Sequence, residues 1–238
     1  MIGWLHGFAG APAQWDAMDL PGVRPWLPGH GPDGAPGTAT TFEEAASTLL
    51  APLRGVRVLV GYSMGARLAL ALALRGLPGL TAVVLVGGTP GIEDPAERAA
   101  RIADDERLAH DLLDGGVDAF MDRWEALPLF ATQSTLPREV RAAQRRWRTV
   151  HRPAGLAWAL ATLGTGAMPS YWEALSCVTV PVHAVTGDLD AKFTAVAEAM
   201  VRRSGGRVTH HRVPGCGHNV VLERPAAVRD LLRSLTGR

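Results

Sequence analysis

Hydrophobic residues follow two alternating patterns along this chain. Short runs that are apolar at nearly every position occur at 2–5, 57–60 and 82–86, with mixed Val-containing runs at 181–186 and 208–213 and a weaker one at 23–26. Runs of this length, rich in Val, read as strands buried on both faces. Between them lie longer segments with helical character. Thr41-Phe42-Glu43-Glu44 is a capping box that opens a helix carrying Ala45, Ala46, Leu49 and Leu50. An Ala/Leu segment follows at 64–74, and further helices are predicted over 193–203 and 225–235. Strands alternating with helices predict an α/β fold, a mostly parallel sheet with helices on both faces.

The alternation stops after Pro90. From 94 to 163 no strand pattern appears; helices are predicted over 95–113, 117–127, 138–150 and 154–163, carrying Trp124, Trp147 and Trp158. This reads as a helical cap at 91–169 inserted into a core formed by 1–90 and 170–238.

Composition narrows the class of function. The chain has 238 residues, 47% of them hydrophobic, enough for one domain with a sizeable core. A net charge of +1 gives no field to attract nucleic acid. No apolar run reaches membrane-spanning length, and Met1-Ile2-Gly3-Trp4 reads as the start of a strand and not as a leader. Cys177 and Cys216 are too few for a disulfide framework, and no metal-ligand spacing occurs; His210 and His211 face opposite sides of a strand. The expectation is a cytoplasmic protein with no metal and no cofactor, its oligomeric state left open.

The chemistry gathers at strand ends. Val58-Leu59-Val60 runs into Gly61-Tyr62-Ser63-Met64-Gly65 and then into the Ala/Leu helix. Strand, Gly-x-Ser-x-Gly turn and helix together make a nucleophile elbow, in which glycines admit a tight turn around a strained serine. Gly187-Asp188-Leu189-Asp190 ends the next strand but one, and Gly215-Cys216-Gly217-His218 ends the last. Serine, acid and histidine in this chain order match the α/β-hydrolase arrangement. His218 would take the Ser63 proton. Asp190 fits as the orienting acid better than Asp188, because it lies further past the strand, although both stay open. The turn at His6-Gly7-Phe8-Ala9-Gly10 after the first strand can aim a backbone N–H into the site, alongside that of Met64.

Over nearly its whole length the chain resembles the 2-succinyl-6-hydroxy-2,4-cyclohexadiene-1-carboxylate synthase family, the menaquinone-pathway branch of the α/β-hydrolase superfamily. Generic to the superfamily are Leu5-His6-Gly7-Phe8, Pro28-Gly29-His30-Gly31 and the elbow. More specific are Tyr62 with Arg67, Glu97-Arg98-Ala99-Ala100-Arg101, Asp122-Arg123-Trp124, Pro128-Leu129-Phe130, Arg152 before Gly155-Leu156-Ala157, Gly164-Thr165-Gly166-Ala167-Met168-Pro169 with Trp172, and Asp190-Ala191-Lys192-Phe193. The resemblance implies elimination of pyruvate from a cyclohexene that carries several carboxylates. It implies a triad of Ser63, Asp190 and His218, with Phe8 and Met64 supplying oxyanion N–H groups. It also implies substrate contacts from Tyr62, Arg67, one of Arg98 and Arg101, Trp124, Arg152 and Lys192. Ala66, Trp26 and Met168 depart from the family pattern, which commonly has glycine, aspartate and glutamine there.

An arginine-rich cap suits a polycarboxylate, because guanidinium forks pair carboxylates bidentately. Arg145, Arg146 and Arg148 read instead as a solvated helix face. The same triad would also serve a carboxylic-ester or thioester hydrolase, while a ligand-binding protein without catalysis would have no use for it.

Overall fold

The computed structural model describes residues 1–237. Its centre is a six-stranded sheet in the order β2-β1-β3-β4-β5-β6, with every neighbouring pair parallel. The strands are β1 (Ile2–Leu5), β2 (Gly22–Val23), β3 (Val58–Tyr62), β4 (Ala82–Val86), β5 (Val182–Gly187) and β6 (Val208–Val213). The helices are α1 (Phe42–Ser47), α2 (Met64–Leu74), α3 (Pro95–Glu125), α4 (Arg138–Thr149), α5 (Pro153–Leu163), α6 (Ala191–Arg203), α7 (Val220–Glu223) and α8 (Pro225–Thr236).

β1, β3 and β4 are buried along their whole length, which is why they are written as uninterrupted apolar runs. One core lies on the α2 face of the sheet and a second on the α8 face. α2 is the central helix: ten of its eleven residues are buried, so its Ala/Leu composition serves packing on every side. Burying each of Leu68, Leu70 and Leu72 contributes about 1.5–3 kcal/mol.

Two elements are shorter than the sequence predicts. The strand expected over 23–26 is only the Gly22–Val23 pair. Pro25 has no N–H to continue the ladder, and a second residue type at Gly22 would run into Trp4. The helix carrying Ala45 and Ala46 ends at Ser47, so Leu49 and Leu50 lie in following turns. There the Ser47 and Thr48 hydroxyls donate back to the Glu43 and Ala45 carbonyls, a local alternative to helix propagation.

Between β4 and β5 the chain is helical. α3, Pro95 to Glu125, is two helices meeting at a kink at Gly116 (φ 74°, ψ 172°), in keeping with the two helices predicted there. α3 packs mainly on α5, and a small apolar cluster of Leu112, Phe120, Met121, Leu156 and Leu160 with Ala9 ties them to the loop after β1. No helix among the described residues is long and apolar enough to cross a membrane.

Candidate active site

The carboxyl ends of β1, β3, β5 and β6 converge, as they must in a parallel sheet, and each delivers one part of a site. At the end of β3, Ser63 has φ 51° and ψ −107°, a conformation that L-residues avoid. It holds because its N–H donates to the Val86 carbonyl at 2.8 Å and its own carbonyl accepts from Ala66 and Arg67. A Cβ at Gly61 would strike the Gly65 backbone, and one at Gly65 would strike Leu5, so this turn closes only around glycines.

After β6, His218 is buried, and its Nδ1 lies 2.7 Å from Oδ2 of Asp190, which is also buried. The other Asp190 oxygen accepts the Phe193 N–H and so caps α6. Asp188 faces elsewhere: its Oδ1 accepts the Gly215 N–H at 2.8 Å. Between the two carboxylates open at the sequence level, the geometry puts Asp190 against the histidine.

Phe8, Ser63, Met64 and His218 line one cavity of about 460 Å³. Among the described residues neither the Phe8 nor the Met64 backbone N–H has a hydrogen-bond acceptor. Two free N–H groups beside a strained serine, one of them at a helix N-terminus, suit an anionic oxygen.

The loop carrying Phe8 is held from below by histidines. His30 Nε2 accepts the Ala9 N–H at 3.2 Å and its Nδ1 donates to the Pro28 carbonyl. His6 Nε2 accepts from Leu27 and its Nδ1 donates to Gly7. From the end of α4, His151 accepts the Gly31 N–H at 2.9 Å. The three rings stack edge to face, His6 to His30 to His151, at centroid distances of 5.1 and 5.4 Å. Burial pushes His6 down to about 3 and His151 to about 4, and holds His30 well below its ordinary value.

A depressed histidine keeps the folded state from binding a proton that the unfolded chain takes up below about pH 6.5. Stability is therefore full above pH 6.5 and falls as pH drops towards 4. From His151 alone the loss is on the order of 3 kcal/mol, at about 1.4 kcal/mol per pH unit. Urea unfolding at pH 7, 5.5 and 4.5 should show this, and His151→Asn should fall less steeply than the wild type. Parallel curves for the two proteins would mean that His151 is charged in the fold.

The cavity receives only part of the expected substrate set. Arg67, Arg101, Trp124 and Lys192 line it, together with Asp104, Arg107, Leu108, Leu129 and Phe130 from the helical segment. Arg67 is 6% exposed in the first turn of α2, and one guanidinium nitrogen donates to the Leu163 carbonyl. Among the described residues it has no carboxylate within ion-pair distance. Burial, with repulsion from Arg101, lowers its pKa to about 9 against the pull of Asp105. Arg101 instead has a partner, buried Asp105, at 2.9 Å.

Three expected contacts lie outside this cavity. Arg98, three positions before Arg101 on α3, turns its Nε to the Gly166 carbonyl. Arg152 donates to the Pro32 carbonyl and faces Asp33 at the surface. Tyr62 points to the other side of β3 from the Ser63 opening. Its ring lies behind His218 at 5.5 Å and lines a separate pocket of about 20 Å³ with Gln144, Arg148 and Asn219.

Arg148 departs furthest from its sequence reading. It is buried to 5% exposure, paired with Glu125 at 3.1 Å and set over the Phe130 ring at 5.1 Å. Arg145 is also engaged, with Asp118, Asp122 and Glu125. α4 is amphipathic: Val140, Ala143 and Trp147 recur at helical spacing along its inner face, and Gln144 and Arg148 lie on that same face, which is the cue that could have found them.

Comparison with known proteins settles the family. A family model described as "Alpha/beta hydrolase family" matches residues 4–231. A Bacillus subtilis (strain 168) protein named "Putative 2-succinyl-6-hydroxy-2,4-cyclohexadiene-1-carboxylate synthase" is 34% identical over 233 residues, covering 93% of this chain and 84% of the relative. The chain belongs to the α/β-hydrolase family, in this synthase branch. A synthase of the same name from Salmonella arizonae (strain ATCC BAA-731 / CDC346-86 / RSK2980) is 31% identical, covering 98% of this chain and 92% of the relative. The structure of MenH from S. aureus superposes with a TM-score of 0.90 at 29% identity, covering 98% and 91% of the two chains.

The departures from the synthase pattern are absorbed locally. The Ala66 methyl fits because Gly88 opposite it has no side chain. Trp26 packs edge-on against His6 and His151 at 5.7 and 5.8 Å, closing the histidine cluster. Met168 is fully buried in the core beneath α2, where a glutamine would need partners.

Proposed function

We propose that this protein eliminates pyruvate from 2-succinyl-5-enolpyruvyl-6-hydroxy-3-cyclohexene-1-carboxylate to give 2-succinyl-6-hydroxy-2,4-cyclohexadiene-1-carboxylate, in menaquinone biosynthesis. The reading rests most on one coincidence. The cavity lined by Ser63 and His218 is also lined by Arg67, a buried cation with no carboxylate within ion-pair distance among the described residues and only the longer-range pull of Asp105, beside Arg101, Arg107 and Lys192. A neutral ester would leave that charge without a partner, whereas a polycarboxylate supplies one.

Comparing reactant and product names gives the bond changes. The proton leaves carbon 2, its electron pair becomes the 2,3 double bond, the old 3,4 pair moves to 4,5, and the bond from carbon 5 to the enolpyruvyl oxygen breaks. Ser63, relayed by His218, takes the proton, and Asp190 balances the imidazolium. Carbon 2 is next to the succinyl carbonyl, so charge develops on that oxygen, and the Phe8 and Met64 N–H groups would receive it. The departing enolpyruvate becomes pyruvate on protonation at carbon. No step calls for a metal or cofactor, and no group of three or more His, Cys, Asp or Glu among the described residues could hold a metal ion. The helical insertion at 91–169 serves as the cap over this cavity, and the substrate's charge fits work in the cytoplasm.

Arg67→Ala tests the reading against ester hydrolysis. Removing a charge-assisted fork costs about 1.5–3 kcal/mol. That predicts a roughly 10- to 150-fold lower kcat/KM on the enolpyruvyl substrate, followed by pyruvate release, with hydrolysis of a neutral nitrophenyl ester nearly unchanged. Equal losses on both would make Arg67 structural and remove the main local support for the lyase.

A further inference from the structure

His218 is held by more than its acid. The chain turns at Gly215-Cys216-Gly217-His218-Asn219, then enters α7, and the last residue of that helix, Glu223, folds back under the turn. Its Oε2 accepts the Gly217 N–H at 2.7 Å and its Oε1 accepts the Asn219 N–H at 3.3 Å. The two oxygens of one carboxylate thus grip the backbone on both sides of the histidine. Glu223 is 7% exposed and has no cation within ion-pair distance among the described residues. A buried, unpaired carboxylate is costly unless its hydrogen bonds repay it. The chemistry also excludes the neutral analogue: a glutamine has one acceptor oxygen, and its amide N–H₂ would face a backbone donor. A carboxylate is needed because the geometry presents two donors and no acceptor. Its charge is felt at Tyr62 and Cys216, the two groups packed around the histidine loop.

We propose that Glu223 is a positioning residue for His218, setting the imidazole's height and direction beneath Ser63 by clamping the peptide units before and after it. This rests on the triad reading of the site. Asp190 fixes the ring's tautomer through Nδ1, whereas Glu223 fixes the backbone from which the ring projects. Misplacement of a catalytic group by about 1 Å costs on the order of 100-fold.

The test is Glu223→Gln, with Glu223→Asp as a second variant that keeps the charge but shortens the reach. Pyruvate release from the enolpyruvyl substrate gives kcat and KM, and circular dichroism with thermal unfolding reports the fold. Glu223→Gln should lower kcat roughly 10- to 100-fold with KM within about twofold, because the cavity wall is untouched. The decisive measurement adds Glu223→Gln to His218→Ala. A residue acting through His218 has nothing left to position there, so the double variant should match His218→Ala alone. Independent, multiplying losses would make Glu223 merely structural, as would a folded Glu223→Gln protein with wild-type kcat. Should Glu223→Gln fail to fold, Glu223→Asp is judged by the same two comparisons. An active His218→Ala protein would overturn the triad reading itself, a different result from a harmless Glu223 substitution.

Discussion

Ser63→Ala yields a folded protein whose pyruvate release is slower by about 10⁴- to 10⁶-fold, and His218→Ala does the same. The size follows from how the parts are connected. Ser63 follows the end of β3 and lines the same cavity as His218, Phe8 and Met64, the last two with backbone N–H groups that have no acceptor among the described residues. Without its oxygen the histidine has no relay to the substrate proton, yet the N–H groups and Arg67 still bind, so KM should change little while kcat collapses. Folding should survive, because the backbone bonds that hold residue 63, from its N–H to Val86 and from Ala66 and Arg67 to its carbonyl, do not involve the side chain. Alanine does share the cost of φ 51°, so a small loss of stability is expected and does not bear on the assignment. The two substitutions together should be no worse than either alone, the behaviour of residues that act as a unit. A folded Ser63→Ala protein within tenfold of wild type would remove Ser63 from the chemistry.

How much of this was readable beforehand depends on whether a residue's role is set locally. β3 and β4 are buried on both faces, so their apolar runs carry their own signature, and β6 ends where the pattern predicts. The elbow is local too, since its glycines are demanded by contacts within a few residues of Ser63 and by β1 beside it. Less legible were positions that depend on how helices rotate against each other. The sequence left the choice between Arg98 and Arg101 open; they are one helical turn apart, and only Arg101 lines the cavity, with α3 packed on α5. Arg148 is in the last turn of α4 and Arg152 stands at the N-cap of α5, and the buried one is Arg148. Tyr62, expected as a substrate contact, precedes Ser63 on a strand, where successive side chains point to opposite faces, and it lines a separate pocket; that expectation overlooked the alternation. Glu223 had no signal of its own: its meaning lies in two backbone N–H groups that only the folded turn presents.

Asp190→Asn should cost about 10⁴-fold in kcat, whereas Asp188→Asn should stay within tenfold of wild type. The two residues differ in what their oxygens meet. Oδ2 of Asp190 faces His218 Nδ1 at 2.7 Å in a buried setting, and Oδ1 caps α6 at the Phe193 N–H. An asparagine can satisfy only one of these with its single oxygen. Keeping the cap turns its amide N–H₂ towards Nδ1, which then carries no proton, so the hydrogen moves to Nε2 and the histidine cannot act as a base towards Ser63. Turning the oxygen to the histidine instead gives up the cap, worth about 1 kcal/mol, and still leaves the imidazolium without its counter-charge. Either way the rate falls while the substrate's arginines are untouched, so KM should hold. Asp188 is only partly buried, and its one bond is to the Gly215 N–H, which an amide oxygen accepts equally well. The measurement is kcat and KM for both variants on the enolpyruvyl substrate at one pH near neutrality. Equal losses, or a larger one at Asp188, would move the orienting acid to Asp188 and leave Asp190 as a helix cap.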